Sequence, residues 1–230
     1  MENAEAVARA VFGSSEYTDD LNRLASDILE DVDLRPGTTP CGTAGNSTVS
    51  FVDRSPVGTP SRGDTTTITL RSCVNNVGGG IERLDGSMSF GVVKLSDTAV
   101  VIAFTFGDLA GIVAGQPVAT DGDMTLELRD AGSTEPRGII RGKSLTFSGG
   151  GVTTTLENYR FEETADLSTD EFRSERSGTV RDDALGGPVT FQTTRSFESV
   201  GGSTPNRGRL RIKSVNGSTL LLTVIDNRNL

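Results

Sequence analysis

Two cysteines, Cys41 and Cys73, bracket the first two segments of this chain that read as β-strands, and no other feature constrains the fold as tightly. In residues 47–54 and 65–73 apolar side chains fall on every second position, Val49 and Phe51, then Ile68 and Leu70. That is the period of a strand with one buried face. Pro56, Gly58, Pro60 and Gly63 in the connection mark a long hairpin loop. A bond between Cys41 and Cys73 ties the chain just before the first strand to the end of the second. Closing a loop of about 33 residues is worth roughly 3–4 kcal/mol in the chain-entropy model. The two sulfurs are either free thiols or one bridge. Histidine is absent and no further cysteine stands at metal-ligand spacing, so zinc is not expected. The bridge is the expected state, and it implies an oxidising compartment.

The alternation continues to the end of the chain. Residues 84–93 alternate through Leu84, Met88, Phe90 and Val92, and residues 99–106 form the most apolar segment, expected to be the most central strand. Residues 109–115 are apolar but broken by glycine, and Asp121-Gly122-Asp123 is expected to turn the chain. Further strands are read at 124–128, around Ile139, Ile140, Leu145 and Phe147, and at 152–163, 172–181, 188–199, 207–214 and 219–226. Asn216-Gly217 between the last two suits a type I′ hairpin turn. Ten to twelve strands, neighbours in sequence, predict an antiparallel meander curled into a half-barrel, barrel or sandwich. Ahead of it, Ala4, Val7, Ala8 and Val11 fall at helical spacing behind Asn3, and Leu21, Leu24, Ala25, Ile28, Leu29 and Val32 follow Thr18. Two short helices are therefore expected in residues 1–36, covering a sheet edge or barrel mouth, with the β domain in 37–230.

Charge and composition exclude some functions. A net charge of −9 is wrong for a nucleic-acid partner, whose phosphates need a basic patch. Only three of the 22 basic residues are lysine (Lys94, Lys143 and Lys213); the arginine bias is read as genomic or as surface solvation. No apolar run is long enough for a membrane-spanning helix. Without histidine, a Ser-His-Asp or Cys-His arrangement cannot be built. Residues 86–91 resemble a nucleophile elbow but lack its glycine spacing, and Asp97-Thr98-Ala99 has no partnering copy. Arg62-Gly63-Asp64 reads as a turn entering the strand at Thr65 rather than as an adhesion signal. Asp121, Asp123, Asp182 and Asp183 lack the spacing of a calcium loop, and Glu30, Asp31 and Asp33 read as the charged tail of a helix. The glycine runs 78–80 and 149–151 have no following helix to cradle a phosphate. No catalytic residue, metal ligand or cofactor is expected.

Several stretches together resemble a group of uncharacterised exported proteins of Gram-negative bacteria, often predicted lipoproteins. They are residues 2–8, Cys41-Gly42, Gly63-Asp64 leading to Cys73, residues 85–89, 177–180 with 185–191, and 205–208 with 215–220. The resemblance implies export and a β-rich fold, and supplies no activity, substrate or catalytic residue. An export signal removed from the natural N-terminus is expected, and whether a lipid anchor stands there is left open. The location is then periplasmic, outer-membrane-anchored or extracellular. Three functions are open: a non-enzymatic envelope protein that binds a partner or serves as a structural module, a carrier of a lipid or other apolar ligand lined by residues 99–106 and 109–113, and a hydrolase working through paired carboxylates.

Overall fold

The structure is a computed structural model; it describes residues 4–13, 28, 34–54, 61–74, 81–113, 116–149, 151–183, 185–201 and 205–225. Twelve strands form one antiparallel sheet in which each strand pairs with its neighbours in sequence. They are β1 (Gly37–Pro40), β2 (Ala44–Val52), β3 (Thr65–Val74), β4 (Ile81–Ser96), β5 (Ala99–Val113), β6 (Gln116–Arg129), β7 (Arg137–Gly149), β8 (Val152–Asp166), β9 (Glu171–Asp182), β10 (Val189–Val200), β11 (Arg207–Ser214) and β12 (Thr219–Thr223). The sheet is open: among the described residues no ladder joins β12 to β1, and neither a closed barrel nor a two-sheet sandwich is shown. One N-terminal helix, α1 (residues 4–13), stands where two were expected. The second amphipathic run lies outside the described residues except Ile28, which is helical and buried. No helix of the described residues is long and apolar enough to cross a membrane.

One face of the sheet carries the core. Register puts Val49, Ile68, Met88 and Phe106 in one cross-strand row, which continues through Gly122, Leu145, Leu156, Val180 and Val189. Every apolar member of that row is buried, and Ile68, Met88, Leu145, Leu156 and Val180 have no exposed surface. Helix α1 lays Val7 and Val11 on the same core. Its Phe12 meets Phe197 edge-on at 6.2 Å, and the Arg176 guanidinium lies 5.1 Å from one ring and 5.6 Å from the other, a cation–π contact. The opposite face explains the abundance of threonine and serine. Thr38 and Thr48, Thr67 and Ser89, and Thr146 and Thr155 hydrogen-bond across adjacent strands at 2.9–3.1 Å.

The Cys41–Cys73 bond is present, with a Cα–Cα distance of 5.4 Å. Both cysteines are buried beside the turn that joins β1 to β2, where the Cys41 amide donates to the Gly45 carbonyl. The expected break after residue 106 is not a strand end. Residues 99–106 and 109–113 belong to the single strand β5, with a register shift between Phe106 and Leu109 where Asp108 takes a positive φ of 46°. Nor does Asp121-Gly122-Asp123 turn the chain; it lies inside β6 at another bulge. Asn216-Gly217 does close the last hairpin, but through the four residues 215–218 with a positive φ at Gly217 alone, so the turn is not type I′.

Such bulges form a line across the middle of the sheet, at Ser72 on β3, Gly86 on β4, Asp108 on β5, Gly122 on β6 and Asn158 on β8. A bulge frees a backbone amide from its ladder, and here aspartates take them up. Asp85 accepts from the Ser72 amide at 2.5 Å, Asp121 from Asp108 at 3.2 Å, and Asp123 from Lys143 and Ser144 at 3.0 and 3.2 Å. The Ser72 amide is the leading reason the Asp85 carboxyl sits below its ordinary range, with Arg83 adding to it. Glycine is required where strands crowd at this line: a Cβ on Gly86 would lie 2.3 Å from the Asp108 carbonyl oxygen, and one on Gly122 2.2 Å from that of Ser144.

Candidate functional site

The face opposite the core carries a striped array of charge over β6–β11, and the strands' register builds it. One cross-strand row runs Arg129, Arg137, Thr164, Arg173, Glu198, Arg207. The next holds Glu127, Ile139, Glu162 and Glu175. The third runs Thr125, Arg141, Arg160, Ser177, Gln192, Arg211. Arginine rows thus flank a glutamate row. In these three rows seven arginines stand against four glutamates, in a chain whose net charge is −9.

The array is tied together rather than loosely solvated. Arg129 holds Glu127 at 2.5 Å and Arg141 reaches its other oxygen at 3.4 Å. Arg160 lies 2.6 Å from Glu162, which Arg137 also grips, and Arg207 pairs with Glu198. Ser196 donates to Glu175 at 2.6 Å and Arg211 to Gln192 at 3.2 Å. Beneath the arginines lie Val101 and Ile139, 5% and 1% exposed although neither belongs to the core cluster. Both share the row of Glu127, beside arginines whose stems are long enough to cover them while the side chains stay half exposed. Glu127 is itself only 4% exposed. Burial pushes its carboxyl up, but the Arg129 hydrogen bond and the charges of Arg129, Arg141 and Arg160 outweigh that, so it sits below the ordinary range.

This fixes what the array can do. Glu127 stays ionised at neutral pH and arginine does not titrate there. What the stripe offers a ligand is charge and the planar guanidinium fork, which matches carboxylates and phosphates. Glu127, held low, is not a raised-pKa acid of the kind glycoside hydrolysis needs. Among the described residues no three metal-ligating side chains come together to hold an ion.

Other sequence candidates fall elsewhere. Asp64 of Arg62-Gly63-Asp64 is buried and accepts hydrogen bonds from the Arg54 amide at 2.9 Å and the Ser61 amide at 2.6 Å. Those bonds, Arg54's first, hold its carboxyl low, and a side chain so engaged belongs to the turn. Residues 86–91 lie within β4, and Asp97-Thr98 is the two-residue turn from β4 to β5. Asp182 accepts from the Thr154 hydroxyl at 2.7 Å and Asp183 from the Thr153 amide at 3.3 Å, where β8 meets the end of β9. Phe104, Phe106 and Leu109, expected to line a cavity, are packed in the core. Residues 78–80 and Glu30, Asp31 and Asp33 lie outside the described residues.

Sequence reasoning missed the stripe, because the arginine bias is read there as genomic or as surface solvation. The signal was present as charge at i, i+2 in β6, β8 and β9: Glu127 and Arg129, Arg160 and Glu162, Arg173 and Glu175. No family model, curated protein or solved structure matches this chain.

Proposed function

We propose that this chain is a non-enzymatic exported binding module of the cell envelope, which docks an acidic partner on the arginine stripe of β6–β11. The observation that carries this is the concentration of seven arginines around four glutamates in three adjacent rows on one face of an acidic protein. Ion pairs of this kind pre-arrange long side chains, which lowers the ordering cost of binding. The buried Cys41–Cys73 bond supports an oxidising location, and the resemblance to exported proteins points the same way, to the periplasm or the cell surface.

The sheet is further proposed to curl around its core face. Twelve strands at ~4.8 Å spacing span roughly 53 Å, whereas a ten-residue helix is about 15 Å long and about 10 Å wide. Helix α1 cannot cover side chains as far apart as Ile68 on β3 and Ile212 on β11, both of which have no exposed surface. Curling along the line of bulges would bury them against the sheet's own far half. With that interior filled by large side chains such as Phe106, Met124 and Tyr159, the carrier reading gains no support from the burial.

Titration of labelled dextran sulfate, with neutral dextran as control, tests the stripe. Binding should weaken as salt rises, and Arg173→Ser with Arg207→Ser should weaken it at least tenfold. Equal loss on replacing Arg71 and Lys94, outside the stripe, or no binding at low salt, would sink the proposal.

A further inference from the structure

The two ends of an open sheet are its exposed edges, and a free edge invites another strand unless something blunts it. β1 is blunted: it has four residues and ends in Pro40. β12 is not. Its five residues are Thr219-Leu220-Leu221-Leu222-Thr223, with no charge, proline or glycine, and its ladder with β11 runs without a bulge. Apolar surface gathers around it as well. Val215 and Ile225, 75% and 79% exposed, are the most exposed large apolar side chains among the described residues, and they bracket a strand whose Leu221 is 51% exposed.

The hydrogen-bond phase shows which backbone groups of β12 have no partner among the described residues. The Ser214 amide donates to the Ser218 carbonyl and the Val224 amide to Gly208, so Leu220 and Leu222, in the same phase, turn their amides and carbonyls toward β11. Thr219, Leu221 and Thr223 turn theirs to the open edge. The strand also reads the same in both directions, Thr-Leu-Leu-Leu-Thr. Two copies laid antiparallel about a two-fold axis through Leu221 therefore match like with like. Leu221 faces Leu221 of the other copy, each Thr219 faces a Thr223, and each Leu220 faces a Leu222. The free amides and carbonyls of the six facing residues are all satisfied, by about six hydrogen bonds.

We propose that β12 is a self-complementary docking edge, and that its partner is β12 of a second copy of this chain, joining two sheets edge to edge. An isologous two-fold contact closes on itself and stops at the dimer. Leu220 and Leu222, half-buried and packed against the core at the rim of the sheet, gain a neighbour on their open side. On the outward face Arg211 stands next to Leu221, so the two arginine stripes become continuous across the axis. With five residues a side the contact is small, and the dimer forms reversibly with concentration.

Sedimentation velocity from about 5 to about 500 µM, a range suited to a small interface, tests this on the full chain. Wild type should pass from monomer to dimer. Leu221→Pro removes the one amide at the axis while leaving the β11 ladder intact, and should weaken dimerisation at least tenfold with an unchanged circular-dichroism spectrum. The register is tested by charge. Thr219→Lys with Thr223→Lys, and separately Thr219→Glu with Thr223→Glu, should each be monomeric, because residue 219 of one copy faces residue 223 of the other. An equimolar mixture of the two should dimerise again, which a misfolded variant cannot do. A wild type monomeric at the highest concentration, a dimer indifferent to Leu221→Pro, or a mixture that stays monomeric overturns the proposal.

Discussion

Removing the Cys41–Cys73 bond should cost this protein a measurable and localised part of its stability. The two cysteines are 32 residues apart, and the loop they close contains β2 and nearly all of β3. The chain-entropy relation gives roughly 3–4 kcal/mol for such a loop, which for a chain of this size moves the melting temperature by roughly 10 °C. The loss should be concentrated where the bond acts. Around it the Thr43 amide reaches the Val74 carbonyl at 2.8 Å, and Ala44 pairs with Val74 across a register shift, so β1–β3 form the sheet edge that the bond pins. Calorimetry on wild type and on Cys41→Ala with Cys73→Ala gives the magnitude, and amide exchange gives the location. Protection should fall in β1, β2 and the end of β3 while the β6–β8 ladders keep theirs. Both sulfurs are buried, so a mild reductant should act on the folded protein only slowly. Equal melting temperatures, or loss of protection spread evenly over the sheet, would refute the argument.

Three further outcomes follow from the packing. Glu127→Gln should destabilise the protein by about 1–2 kcal/mol, less than a wholly buried pair because Arg129 and Arg141 are half exposed. Because its folded pKa is depressed, the stability Glu127 adds is present above the unfolded value near pH 4.3 and is lost as pH falls through the folded value, so acid unfolding of the variant should be shallower. Tyr159 donates to the Asp123 carbonyl at 2.8 Å, and burial chiefly, with the Asp123 charge, raises its pKa. Its contribution is therefore complete below the unfolded value near pH 10 and declines progressively as pH rises from there toward the folded value, and Tyr159→Phe should cost about 1–2 kcal/mol at pH 7 yet flatten the alkaline limb in denaturant titrations. Leu145→Ala, at a fully buried site between Gly122 and Leu156, should cost about 2–5 kcal/mol by urea unfolding; a loss under about 1 kcal/mol would mean that the core there is loose.

The alternation of side chains made the strands and the meander legible, because each strand has one buried face. It misled at the bulges. A bulge adds one residue, so the inward positions of β5 change from even numbers, Phe104 and Phe106, to odd, Leu109. Read as a strict two-residue period, that change ends a strand, and β5 was split in two. Asp121 and Asp123, which accept freed amides, read as a turn for the same reason, since turn and bulge call for the same residue types. The second helix illustrates a different limit. Its amphipathic period was readable, but of that run only Ile28 is described, and it is buried.

The stripe was illegible for a reason of its own. Charge at i, i+2 says that a strand has a polar face, but says nothing about which arginine stands beside which glutamate on the next strand. That depends on register, and a slip of one residue sends every side chain to the opposite face. Here the core sets the register. A slip of β7 by one residue would carry Ile140 and Leu145 outward and drive Arg137 and Arg141 toward Leu126 and Phe161, burying unpaired charge. The apolar face thereby aligns the arginines, although it lies on the other side of the sheet. A core substitution that shifts register should accordingly abolish dextran sulfate binding without touching any arginine. A core substitution that only loosens packing, such as Leu145→Ala, should lower stability and leave binding within about twofold, since sites farther apart than about 7–10 Å behave additively. If Leu145→Ala weakened binding as much as Arg173→Ser with Arg207→Ser, the stripe would be too soft to count as a pre-arranged surface.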